Sequence, residues 1–400
     1  MDTGVFAPVR IADFRRLWLG QVVSVVGDKI HTIAMAMMVY AITGSMLQMG
    51  VMLGVTLLPA ALFGLPAGVY VDRWDRRKTM IGADLLRAAV VVSIPSAVGY
   101  GIWWAYALAF VASTVSLFFI PAKRSLIPEL VGTDLLMAAN SLDNASEAVA
   151  ELVGLGLGAA IVATIGFSWA FTIDGATFLV SAASIALIRY RQPEPDILGA
   201  EKPDFVAETL EGVRAIWRND VLRPLSGVYV VSALFAAASI AVCYALALER
   251  YNSGAIGLAM LDGATAVGML VGAVLVGRAG SGRAGAKFLA GMATFGFVFA
   301  LVSLATSIWT AMVLLAAAGV ANMFFFIPAT TMFQTHSDTG VRGRVMAANT
   351  TATRITMVLG IVIAGAVADK MPLNTLIVII GFAAILAAAV GWMSVALREA

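Results

Sequence analysis

Phe119-Ile-Pro-Ala122, followed by Met137-Ala-Ala-Asn140, returns later in the chain as Phe326-Ile-Pro-Ala329 followed by Met346-Ala-Ala-Asn349. The two copies are offset by 207 and 209 residues. Each links the fourth and fifth long apolar stretches of its own half of the chain through a basic segment, which predicts a duplicated unit. Counting outward from them, apolar stretches fall at about residues 14–42, 47–71, 79–100, 103–121, 136–165 and 168–190. Six more fall at about 224–248, 254–277, 286–307, 309–334, 344–368 and 373–397. A helix of about 20 apolar residues crosses a hydrocarbon core of about 30 Å. The expected fold is therefore an all-α integral membrane protein with twelve transmembrane helices in two six-helix halves. The expected divisions are an N-terminal half, 1–190, a cytoplasmic linker, 191–222, and a C-terminal half, 223–400.

Composition agrees, since 60% of the 400 residues are hydrophobic and the mean hydropathy is +0.92. A water-soluble domain of that composition would be far outside the usual range. The 26 basic and 24 acidic residues nearly balance, which gives no footprint for nucleic acid. Position is more informative than total charge. With both termini cytoplasmic, 21 of the 26 Lys and Arg residues fall on the cytoplasmic side, leaving Arg250 and Lys370 outside and Lys29, Arg87 and Arg354 within spans. That asymmetry sets the orientation of a multi-pass protein in a cell inner membrane. Arg10, Arg15 and Arg16 precede the first span without a small-residue cleavage site, so it reads as a retained helix. The single cysteine, Cys243, excludes an internal disulfide and a cysteine metal cluster.

Enzyme chemistry has no motif here. His31 and His336 are the two histidines and neither accompanies a nucleophile arrangement; the glycine-rich fragment 280–287 lacks the G-K-[S/T] ending of a phosphate loop. No cofactor and no resident metal is expected. Repeats of this kind place a substrate near the bilayer midplane, between halves that rock to alternate access. The G-x-x-x-G pairs Gly64/Gly68 and Gly268/Gly272, with Gly154, Gly156 and Gly158 of span 5, favour close helix packing or sliding. In the linker, Asp204–Arg218 has the helical spacing of an amphipathic segment lying on the cytoplasmic face.

Gly68-Val-Tyr-Val-Asp72-Arg73-Trp-Asp75-Arg76-Arg77-Lys78 joins spans 2 and 3 and packs six charges into seven residues. An acid at a helix end and arginines reaching carboxylates would form a conformational latch of Gly68, Asp72, Arg73, Arg76, Arg77 and Lys78. The alternative is a set of cations that anchors topology. This stretch resembles the G-x-x-x-D-R-x-x-R-R-K signature of the major facilitator superfamily. Pro121-Ala-Lys-Arg-Ser125, Asp174-Gly-Ala-Thr-Phe178, Glu211-Gly-Val-Arg214 and Gly343-Arg-Val345 extend the resemblance to the branch of macrolide efflux proteins and the enterobactin exporter. It implies twelve helices, export driven by proton entry, and a role for Asp72 in stabilising the outward-facing state. Asp75 departs from the broader signature, which has glycine there. Span 4 lacks the intramembrane arginine that many drug–proton antiporters use, so proton coupling must use other residues.

Asp28 is the first of these, mid-span with His31 on the same helix face and Lys29 about 100° away. A charge at that depth costs about 2.5–3.5 kcal/mol, so it should face protein or water. Its possible roles are proton or substrate coupling, an ion pair with Lys29 or a cation of another helix, or an interhelical hydrogen bond. Asn140, Asp143, Asn144, Glu147 and Glu151 make a polar stripe on span 5 that should not face lipid. Two carboxylates one turn apart repel each other, which suits proton exchange or attraction of a cationic substrate. Arg354, mid-span 11, could meet one of these acids or an anionic substrate. Asp84 and Arg87 are expected to pair with each other, and Asp174 and Asp262 to form buried hydrogen bonds.

The reading favoured by these residues is a secondary exporter of small amphiphilic molecules by proton antiport, expected to be a monomer with substrate, protons and lipid bilayer as its partners. A lysophospholipid or other lipid flippase is the alternative. His31, Met35 and Met38 also invite a transition-metal carrier, though methionine is more often a flexible apolar filler. A scaffold without transport would show no flux.

Overall fold

Twelve helices long and apolar enough to cross a membrane make up nearly all of the computed structural model, and no strand occurs among the described residues. These are residues 6–400 apart from Arg73, 191–204, 280–281 and 339–340; side chains at 65–70, 72, 133 and 205–209 are also outside the description. We number the spans α1 (Ala12–Thr43), α2 (Met46–Asp72), α3 (Arg76–Ala97), α4 (Ile102–Gly132), α5 (Asp134–Thr164) and α6 (Phe167–Ala186). The second set is α7 (Leu222–Ala245), α8 (Gly254–Arg278), α9 (Ala284–Leu301), α10 (Ile308–His336), α11 (Arg342–Ala368) and α12 (Leu373–Trp392).

One boundary corrects the sequence reading. The fourth stretch was expected to end near residue 121, with a basic loop following. Instead α4 runs on to Gly132, so Lys123, Arg124 and Glu129 are helical. The physical reason is that two of those charges are paired inside the protein: Lys123 Nζ lies 2.9 Å from Asp143 Oδ2 of α5, and Glu129 pairs with Arg76 of α3. Gly132, at φ 70° and ψ 176°, supplies the turn between α4 and α5 in a backbone region that is essentially restricted to glycine. At the far end, α12 stops at Trp392 and a short helix, Val395–Glu399, follows.

The chain divides into two compact units, residues 1–42 with 62–202, and residues 43–61 with 203–400. In the first, α1 is held against α5 and α6. A Cβ on Gly154 would meet the Val26 carbonyl at 2.8 Å, and one on Gly158 would meet Ile30 Cα at 2.9 Å. On the α6 side Gln21 donates to Ser181 Oγ at 2.8 Å. α3 packs on both α4 and α6. Phe14, Leu17, Met80, Phe119, Leu126 and Ile185 share the buried core at one end of this unit.

In the second unit α10 packs against α8 and α9, α7 against α11, and α9 against α12. Gly268 and Gly272 lie on the α10 backbone at Ala316 and Val320, the close approach their spacing predicted. The N-terminal part of α2 belongs here too: Gly50 and Gly54 face Ile361 and Val362 of α11. The linker helix, Phe205–Arg218, rests on the start of α11, where Glu211 Oε1 accepts from Arg344 at 2.7 Å.

Candidate functional site

In the first unit the polar residues that break apolar spans converge. Asp84 and Arg87 of α3 pair with each other as expected, and both are buried. The Arg87 guanidinium is also 4.0 Å from Asp28 of α1 and donates to Ser116 Oγ of α4 at 3.4 Å. Its charge lies between two rings, 4.6 Å from the centre of Phe119 and 4.2 Å from that of Phe178. Cation–π attraction of this kind is worth about 2 kcal/mol when desolvated. Beside this pair, His31 Nδ1 of α1 lies 3.3 Å from Asp174 Oδ2 of α6. The His31 ring meets Phe171 edge-on at 5.3 Å.

Glycine makes the second contact possible. A Cβ on Gly27 would lie 2.6 Å from Asp174 Oδ1 and would also strike Thr177 Oγ1. Three carboxylates, Asp28, Asp84 and Asp174, therefore share one guanidinium and one imidazole. The cluster is sealed at one end and open at the other: the side chains of Asp84 and Asp174 are 0% and 1% exposed, whereas Asp28 is 47% exposed. Lys29 turns away from its neighbour and reaches Glu151 Oε1 of α5 at 3.0 Å.

The α5 stripe is distributed rather than unified. Asp143 holds Lys123, Glu151 holds Lys29, and the Asn144 side chain donates to the carbonyl of Asn140 at 2.8 Å. Glu147 is exposed, within electrostatic reach of Asp28. Arg354 is half-buried on α11, in the other unit.

Of the basic loop, Arg73 lies outside the described residues; Gly68 and Asp72 end α2, but their side-chain surroundings are outside the description as well. The remainder binds within its own unit. Asp75 caps α3 by accepting from the Lys78 amide at 2.9 Å, and Lys78 Nζ lies 4.0 Å from the same carboxylate. Arg76 pairs with Glu129 of α4. Arg77 donates to the Ile185 and Ala186 carbonyls that end α6, where a cation also meets the negative end of the helix dipole.

The second unit contains a cavity of about 380 Å³ lined by α7, α8, α9, α10 and α11. Its surface is mainly apolar and aromatic, with Phe295, Phe299, Phe325 and Phe326 on one part and Asp262 on another. A pocket of that size, apolar with a few placed polar groups, has the form of a small-molecule site.

The profile of the Major Facilitator Superfamily matches residues 17–361. The chain belongs to this superfamily. Among its relatives, macrolide efflux protein A of Streptococcus pyogenes is 24% identical over 369 residues, covering 90% of each chain. The multidrug efflux pump Tap of Mycolicibacterium fortuitum is 26% identical over 372 residues, 87% of each chain. Among solved structures, the nucleoside transporter NupG superposes with a TM-score of 0.77 at 11% identity, covering 96% of this chain and 98% of the other. A bacterial homologue of the iron transporter ferroportin, in its inward-facing state, gives 0.72 at 15% identity over 95% and 98%. At these identities the structural likeness shows the superfamily fold alone.

Within that fold, the sequence reading singled out Asp28 and His31 but not the set they join. Asp84, Arg87 and Asp174 had been read as local pairs or hydrogen bonds. The available signal was Gly27 facing Asp174-Gly-Ala-Thr177, a small residue opposite an acid that needs room. Asp262 was likewise read alone, although Thr265 and Met269 follow it at helical spacing on the cavity side of α8.

Proposed function

We propose that this chain is a secondary active exporter that moves small amphiphilic molecules in exchange for protons by alternating access. The observation that carries the reading is the buried cluster of the first unit. Two carboxylates, Asp28 and Asp84, face the one guanidinium of Arg87 and leave a single negative charge that one proton balances, while beside them a proton on His31 or Asp174 would balance that second pair. Asp28 is the exposed member through which that proton enters and leaves, and Asp84 and Asp174 are the sealed ones that feel its charge. The mainly apolar cavity of the second unit takes the substrate. Relatives named for macrolide and multidrug efflux support the outward direction.

In this reading Asp72 and the segment from Arg73 to Lys78 are the latch, with Arg76 and Arg77, in the first turn of α3, binding α4 and α6 so that this end of α3 moves with its own unit. Both termini are cytoplasmic and the protein is a multi-pass component of the cell membrane. One chain supplies both cluster and cavity, so the transporting unit is the monomer.

The test uses the purified chain in proteoliposomes loaded in turn with a lipophilic cation, a macrolide and a fluorescent lysolipid. An imposed proton gradient should drive flux of one of the first two, and a protonophore should abolish it. Asp28→Asn should remove gradient-driven flux while leaving the protein folded. Uphill transport by that variant at the normal rate would remove Asp28 from the mechanism, and flux of lysolipid alone would replace the exporter by a flippase.

A further inference from the structure

The linker helix, Phe205–Arg218, has one face spent on the protein and another left over. Gly212 and Ile216 are buried, and a Cβ on Gly212 would strike the Arg344 carbonyl in the first turn of α11. Glu211 is taken up by the side chain of the same arginine. Just past the helix, Asn219 accepts from the amides of Val221 and Leu222 at the start of α7, at 2.9 Å each, and donates to the His336 carbonyl that ends α10 at 3.1 Å. The linker helix is therefore fixed where α7 begins, α10 ends and α11 begins. In a twelve-span protein that is the level at which three spans leave the hydrocarbon layer.

The leftover surface is sorted by chemistry. At 100° per residue, Leu210, Val213 and Trp217 fall within an arc of about 60°. All three are exposed, Trp217 by 67%. Arg214 and Arg218 occupy the adjoining arc, are exposed as well, and have no ion pair among the described residues. Asp220 and Arg223, exposed beyond the helix, cancel each other in charge. A row of large apolar side chains beside arginines is the pattern of a helix lying in a membrane interface, the row entering the acyl layer and the guanidinium groups meeting phosphates. Tryptophan suits that boundary, with an apolar body and a polar N–H. A zwitterionic headgroup brings its own cation and has no net charge to offer the arginines, whereas an anionic lipid does. An acidic protein would satisfy the arginines but not the apolar row, which the ties to three span ends hold at the lipid edge.

We propose that the linker helix carries a binding site for anionic phospholipid of the adjoining leaflet, Leu210, Val213 and Trp217 entering its acyl region and Arg214 and Arg218 holding its phosphate. The site is separate from the buried cluster and from the cavity, so it stands or falls independently of the exchange reading.

The experiment places an NBD fluorophore on Leu210→Cys in a Cys243→Ala background, with the full chain in phosphatidylcholine nanodiscs. Nitroxide-labelled phosphatidylglycerol or nitroxide-labelled phosphatidylcholine is then included, and quenching reports which lipid touches the helix. The phosphatidylglycerol should reach half-quenching at a mole fraction about fivefold lower or less, the expectation for one arginine near an anionic surface. Arg214→Gln together with Arg218→Gln should bring the two lipids to near equality, and high salt should narrow the gap. The same fluorophore on Val313→Cys, an exposed apolar position of α10, should be quenched by both lipids alike.

Absence of quenching by either lipid would mean that protein covers the face, and equal quenching by the two would mean contact without headgroup selection. Either result overturns the proposal, as does a preference that persists undiminished in the double arginine variant. If that variant fails to fold, the salt series on Leu210→Cys decides alone, and a preference that salt leaves unchanged overturns the proposal.

Discussion

Arg87 is the residue whose loss should be felt most widely, because its guanidinium is the shared partner of Asp84 and Asp28 and sits between the rings of Phe119 and Phe178. Removing one member of a buried ion pair leaves an uncompensated charge and costs about 3–5 kcal/mol, more than the pair itself contributes. Arg87→Met should therefore lower the thermal midpoint of the purified protein strongly. Adding Asp84→Asn to it should restore most of the loss, since the stranded charge goes with it. A double variant no more stable than Arg87→Met would mean that the arginine acts through packing and not through its pair. The sequence displayed this cluster in part. The depth of Asp28 and the shared face of His31 follow from helical spacing, but their partners sit on α3 and α6, more than fifty residues away along the chain, and no local pattern announces which spans will touch. Asp174 is the instructive case: its acid tolerates full burial because Gly27 leaves room for it beside His31.

At the scale of helices, hydropathy located all twelve spans because lipid allows few alternatives to an uninterrupted helix. It misplaced the end of α4, since Lys123 and Glu129 look like loop residues until Asp143 and Arg76 are found beside them. Helix ends hold a further feature that pattern alone does not reveal. Asp369, just past the end of α11, accepts from the backbone amides of Met46 and Leu47 at 2.8 and 3.2 Å and from Ser45 Oγ at 2.7 Å. A carboxylate from 323 positions away thus caps the start of α2, satisfying amides that would otherwise be orphaned and lying at the positive end of the helix dipole. Asp369→Ala should cost about 0.5–2 kcal/mol, the usual loss for an N-cap. It should show first as faster hydrogen exchange at Met46 and Leu47. Asp369→Asn, which keeps an acceptor but loses the charge, should fall between the two. Unchanged exchange in the alanine variant would mean that other groups satisfy those amides.

For the whole molecule, the proposed orientation rests on a bias in the sequence: with both termini cytoplasmic, 21 of the 26 basic residues would fall on the cytoplasmic side and Arg250 and Lys370 on the other. The structure adds that several of the 21 have partners of their own. Lys123 holds Asp143, Arg76 holds Glu129, and Arg77 closes the end of α6, so these cations stabilise a helix bundle whichever membrane face they lie at. If orientation depends on the count of cations near span ends, it should survive the loss of any one of them. The check is accessibility in intact cells, in a Cys243→Ala background that removes the native buried thiol. A cysteine replacing Lys370 should react with a membrane-impermeant maleimide added outside. One replacing Lys78, whose side chain is 84% exposed, should react only after the membrane is permeabilised. The opposite pattern would invert the topology. It would also turn the proposed latch of Asp72 and its neighbours from a cytoplasmic one into an outer one, and the proposed proton entry would then have to be sought from the other face of the same buried carboxylates.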